Sequence, residues 1–176
     1  MAQTLTEIIK GRRSVRKFKG DMVPKEQISE VIEAGLYAAS GKGLQSSLVI
    51  AVTNREFRDK ISEANRRIGG WDEGFDPFYG APVILIVLGN AEVPTHVYDG
   101  SLSLGNMMLK AHELGLGSIW SHRAKEEFEG EIGKEILKQL GLSGTYEGVG
   151  HLALGYSAEP PKEQPARKDG RVFWME

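Results

Sequence analysis

Two cation clusters lie far apart in the chain. Arg12-Arg13-Ser14-Val15-Arg16-Lys17-Phe18 stands near the start, and Pro165-Ala166-Arg167-Lys168-Asp169-Gly170-Arg171 near the end. In an extended segment side chains alternate between faces, so Arg12, Ser14 and Arg16 would share one side. Two guanidinium forks and a hydroxyl aimed at one point match the oxygens of a phosphate, which guanidinium binds bidentately. The plain alternative is a solvated basic turn, and Arg167 taken alone reads as an exposed cation.

A second candidate is Ser40-Gly41-Lys42-Gly43-Leu44-Gln45-Ser46-Ser47. It is not a P-loop, because Lys42 is followed by Gly43 rather than Ser or Thr and the segment precedes a strand pattern instead of following one. No glycine completes a dinucleotide fingerprint either. What is left is a small-residue loop where backbone can approach a flat ligand closely, with Gln45 able to donate and accept; a plain helix-to-strand connection is the alternative. His96, His112, His122 and His151 are dispersed, and His112-Glu113 lacks the second histidine of a zinc helix, so no metal site is expected. Ser101-Leu102-Ser103-Leu104-Gly105 is no nucleophile elbow. With no cysteine and no nucleophile of its own, the chain would have to take its chemistry from a cofactor.

Composition narrows the class. The 176 residues fit one domain spanning 1–176, with 40% apolar and 26% charged residues, a globular balance. A net charge of -2 gives no overall basic field, which argues against nucleic acid as the arginines' partner. No apolar run reaches membrane-spanning length, and the first ten residues are amphipathic rather than basic and then apolar. The expectation is a soluble cytoplasmic protein without a membrane partner.

The elements that must position these clusters follow from apolar spacing. Residues 6–10 predict a short helix ending at Gly11, and Pro24 opens a second, with Ile28, Val31, Ile32, Gly35, Leu36 and Ala39 at helical spacing. Residues 48–53 read as a buried strand, 54–67 as a helix with Phe57, Ile61 and Ala64 inward, and 82–88 as the strongest core strand. Residues 98–114 predict a long helix apolar around most of its circumference, placed centrally or at a subunit interface. A strand at 115–120, one helix over 125–140 and a strand at 148–155 complete the order. Residues 68–80, with Trp71, Phe75, Phe78 and Tyr79, lack periodicity and read as a loop or irregular helix. The alternation implies an α/β or α+β core with one mixed sheet. The tail after Tyr156 ends in Val172-Phe173-Trp174, which predicts that it crosses a neighbour or adds an edge strand.

Taken together, these motifs resemble the FMN-dependent nitroreductases. The resemblance rests on Arg12 to Phe18, the Ala39-Ser40 to Gln45 loop, Tyr79-Gly80-Ala81-Pro82, residues 99–114, Gly115-Leu116-Gly117-Ser118-Ile119-Trp120, Leu154-Gly155-Tyr156 and Pro165-Ala166-Arg167-Lys168. It implies an α+β fold with a mixed, mainly antiparallel sheet covered by helices, in an intertwined homodimer with FMN at the subunit interface. By the family pattern Arg12, Ser14 and Arg167 would hold the FMN phosphate with Arg13 beside them, and Arg16 would lie toward the pyrimidine end of the ring. Ser40, Gly41 and Gly43 would come from the partner, with Ala39 leading in and Gln45 near the ring. Ile119, Trp120, Ser121 and His122 would run along the isoalloxazine, a backbone N–H of Ser121 or His122 donating to N5. The resemblance implies NADH or NADPH as electron donor, a small aromatic or quinone acceptor and a ping-pong cycle; the alternative function is an FMN protein without turnover. This chain departs from the family at Ala39, Gly43 and Ser46-Ser47, where Pro, Asn and Pro-Trp are usual. Looser FMN binding or a roomier pocket is the expected result. The aromatics of 68–80 would gate the open flavin face or serve as packing.

Overall fold

The computed structural model describes residues 3–176. Among them are six α-helices, α1 (Leu5–Gly11), α2 (Lys25–Leu36), α3 (Arg55–Gly69), α4 (His96–Glu113), α5 (Ala124–Glu129) and α6 (Glu131–Gln139), and four strands, β1 (Ser47–Val52), β2 (Val83–Asn90), β3 (Gly117–Ser121) and β4 (Tyr146–Gly155). The strands form one sheet in the order β1-β2-β4-β3, and every named ladder is antiparallel. The sheet is therefore that of an α+β fold, since neighbouring strands do not run parallel as an α/β core would require. Between Val87 and Leu88 the β2–β4 register shifts, leaving Val149 as the extra residue of a bulge.

Alternation along the central strands sorts the core into two layers. Val83, Leu85 and Val87 pack with Leu152 and Leu154 against Val31 of α2 and Leu104, Met107 and Ala111 of α4. Ile84, Ile86 and Leu88 face the other way, toward Ile61 of α3, Phe128 of α5, Ile136 of α6 and Phe78. Because β2 is buried on both faces, its sequence is continuously apolar rather than alternating.

Helix α4 lies across the sheet and against α2 as its composition predicts, yet Tyr98 and Leu102 remain exposed. The single helix predicted over 125–140 is two. Gly130 takes an extended conformation that ends α5 and begins α6, and a Cβ at Gly133 would stand 2.3 Å from Phe128 Cα. The pair of glycines permits a tight crossing that a continuous helix would not make. Asn54 caps α3 by accepting from the Phe57 N–H at 2.9 Å, and the helix runs to Gly69, past its predicted end.

Candidate functional site

The arginine-rich segment is held extended from both sides. Ser14 bridges Ser118 in parallel, and the Val15 N–H donates to Ser118 O at 3.1 Å. Further on, Phe18 bridges Ser157, the Lys19 N–H donates to Tyr156 O at 2.9 Å, and the Ala158 N–H donates to Lys17 O at 2.9 Å. Val15 and Phe18 turn into the core. A cleft of about 350 Å³ then opens, lined by Arg12, Arg13, Ser14 and Arg16, by His112 and Ser118, and by tail residues that include Lys162.

Its cations are only partly satisfied. Arg13 Nη1 donates to Lys10 O at 2.8 Å and to Arg12 O at 2.6 Å, closing the end of α1. Arg12 Nη1, Arg13 Nε and His112 Nε2 are buried and find no hydrogen-bond partner. Gly11 allows this crowding, because a Cβ there would be 2.8 Å from His112 Nε2. Burial, and then the charge of Arg13, lowers the pKa of Arg12; burial, then Arg12 and Arg13, lowers that of His112. Buried guanidinium donors without acceptors are costly, and a bound anion supplies the missing partner.

From this cationic end β3 runs along the edge of the sheet. The bond from Val15 to Ser118 fixes its parity, so Ser118 and Trp120 direct backbone groups to the outer edge while Ile119 and Ser121 pair with Ala153 and His151 of β4. Ser121 also donates its hydroxyl to Pro77 O at 3.0 Å. Beyond the strand, the N–H groups of His122 and Arg123 donate to no acceptor among the described residues. The free backbone donors at this end of β3 are thus those of His122 and Arg123, and not that of Ser121.

The 40–47 loop lies elsewhere. Ser40, Gln45 and Ala39 line a separate small cleft with Asp99 and Ser103, and Gly41–Gly43 form a single 3-10 turn with Gly43 at φ 68°. Asp99, in the first turn of α4, shapes it by accepting from the Ser46 hydroxyl at 2.6 Å, the Gly41 N–H at 3.0 Å and the Thr95 hydroxyl at 3.2 Å. Burial opposes ionisation of Asp99, but these bonds outweigh it and hold the carboxyl below its ordinary pKa. One protomer therefore brings Arg12, Arg13, Ser14 and Arg16 together at one end of β3, but not with the 40–47 loop. Arg167 sits on the exposed tail and does not line the cationic cleft.

The aromatic segment 71–80 is pinned by Asp76. Its carboxyl accepts from Arg58 Nη2, the Ser62 hydroxyl at 2.8 Å, and the N–H groups of Phe78 and Gly80 at 2.9 and 2.8 Å. Phe78 is wholly buried, so it packs rather than gates. Trp71 and Phe75 are 39% exposed, with ring centroids 5.3 Å apart. Asp76, Asp99 and His112 are positioning or lining residues that sequence reasoning missed as such; their acidic or basic character was visible, their distant partners were not.

The chain matches the nitroreductase family over residues 9–69 and 70–156. It is 31% identical over 166 residues to a protein of Methanothermobacter thermautotrophicus provisionally named an NADH dehydrogenase/NAD(P)H nitroreductase, covering 88% of this chain and 78% of that one. The crystal structure of a Bacteroides fragilis nitroreductase with bound FMN superposes with a TM-score of 0.86 at 27% identity, over 99% of this chain and 100% of that one. A Desulfitobacterium hafniense nitroreductase with bound FMN gives 0.88 at 24% identity over the full length of both chains, and so shares the fold. The fold and the extent of the match define the class: this chain belongs to the nitroreductase family.

Proposed function

We propose that the chain, as one unit over residues 1–176, binds FMN and works as an NAD(P)H-dependent oxidoreductase on small nitroaromatic or quinone acceptors. The observation that carries this reading is the set of unpartnered buried guanidinium donors on Arg12 and Arg13, beside the unpartnered His112 Nε2, at the head of an open strand edge. Such a pocket suits a phosphate, and the free N–H groups past β3 suit a polar ring edge. FMN, when bound, would supply reversible hydride acceptance at N5, in a ping-pong order in which the nicotinamide leaves before the acceptor enters. The protein's part is to bind, orient and exclude water. Arg12 and Ser14 would take the phosphate, Arg16 would place positive charge toward the pyrimidine end of the ring, and the His122 N–H would face N5.

The reading requires a homodimer. Tyr98 (72% exposed) and Leu102 on α4, and Phe173 (84%) and Trp174 (83%) on the tail, are apolar surface that one protomer leaves open. A partner that covers them would bring its Ala39-to-Gln45 loop toward the cationic cleft, with Arg167 carried by a crossing tail. The test is loading with FMN. The purified chain should retain one FMN per protomer and sediment as a dimer, and Arg12→Ala should retain far less. A monomer that takes up no FMN would refute the reading.

A further inference from the structure

A buried polar chain lies beneath the end of β3. Asn65 of α3, Glu127 of α5 and His151 of β4 are each 0% exposed. Asn65 Nδ2 donates to Glu127 Oε1 at 2.7 Å and to His122 O at 2.9 Å, and His151 Nε2 lies 2.8 Å from Glu127 Oε2. Both partners of the Asn65 amide nitrogen are acceptor oxygens, which fixes the orientation of the amide. The His151 ring rests 5.2 Å from that of Phe78, so the chain is backed by packed core.

The bond to His122 O has a consequence for the backbone. In a planar trans peptide the C=O and the following N–H point in opposite directions. With His122 O drawn inward to Asn65, the Arg123 N–H is turned outward. Arg123 itself sits at φ 82°, a left-handed conformation uncommon for a residue with a side chain. Through Asn65, backed by Glu127 and His151, three elements brace one peptide that no ladder holds, at the end of the β3 edge.

We propose that Asn65, braced by the buried Glu127–His151 pair, is a positioning residue that fixes the His122–Arg123 peptide and aims its one free N–H, that of Arg123, at the polar edge of the bound flavin beside the His122 N–H. The inference rests on FMN binding as proposed above. It assigns to a buried amide of α3, remote from the arginine cluster, control over how the ring is held and how readily it is reduced.

The experiment compares holoprotein of the wild type, Asn65→Ala, Asn65→Ser and, as a control on the same helix, Asn54→Ala, which removes only the α3 cap. FMN dissociation constant, flavin midpoint potential, visible spectrum and Tm are read for each. The Asn65 variants should bind FMN roughly tenfold more weakly, as expected for one lost aligned contact, with a shifted potential and spectrum, while Asn54→Ala lowers Tm alone. Asn65 variants that lose Tm but keep the wild-type potential, spectrum and affinity would make the chain a structural staple and overturn the proposal. In parallel, amide exchange of the wild type needs no variant: the Arg123 N–H should gain protection when FMN binds, and no gain there would also overturn it. Wild-type protein that cannot be loaded with FMN would remove the functional reading itself, a result distinct from both.

Discussion

Arg12 combines burial, a neighbouring like charge and an unpartnered Nη1, so its guanidinium is poised for an anion rather than for solvent. Charge-assisted bonds of this kind contribute about 1.5–3 kcal/mol, so Arg12→Ala should weaken FMN binding by roughly 10- to 150-fold, measurable by flavin fluorescence titration. His112 makes the same pocket sensitive to pH. Its folded pKa lies below the ordinary 6.5, so the folded chain holds fewer protons there than the unfolded one. The stability this gives is complete above that value and declines as pH falls through it. An anion in the cleft reverses the shift by favouring the imidazolium. Sulfate, whose charge is constant over the range, should therefore raise Tm more at pH 6 than at pH 8, and His112→Ala should abolish the difference.

At the scale of elements, two carboxylates each order a loop. Burial raises the pKa of Asp76, but the bonds from Arg58, the Phe78 N–H and Ser62 hold it below 3.8, so its contribution is fully present above that pH and fades below it. Asp76→Ala leaves Arg58, whose side chain is 10% exposed, without its main partner. A loss of about 3 kcal/mol is expected from urea unfolding at neutral pH, shrinking as the pH falls below 3.8. The cation cluster was legible in the sequence because neighbours along an extended segment share a cleft without help. The anchors were not: Gly41 meets Asp99 across 58 residues, and Asn65 meets Glu127 across 62. Strand and helix order was legible from apolar period, whereas the break at Gly130 was not, because the apolar spacing continues across it and only the crossing of α5 on α6 requires the glycines.

For the whole molecule, the dimer is the decisive proposal. The tail carries exposed Val172, Phe173 and Trp174, and β1 offers an unpaired sheet edge beside a cleft of about 490 Å³ lined by Ile50, Val52, Phe57 and Ile136. Deleting residues 159–176 should convert the dimer to monomer in sedimentation velocity and weaken FMN retention at least tenfold, since the phosphate end would lose its tail and the ring its partner loop. Among the described residues no helix is long and apolar enough to cross a membrane. The most direct test of the central claim is the absorbance of the purified chain, titrated anaerobically with NADH or NADPH and then with a nitroaromatic or quinone. Flavin bands that the nicotinamide bleaches and the acceptor restores are the expected result. Bands that no nicotinamide bleaches would leave an FMN protein without turnover and contradict the oxidoreductase reading, and a colourless protein that FMN cannot load would contradict the cofactor site altogether.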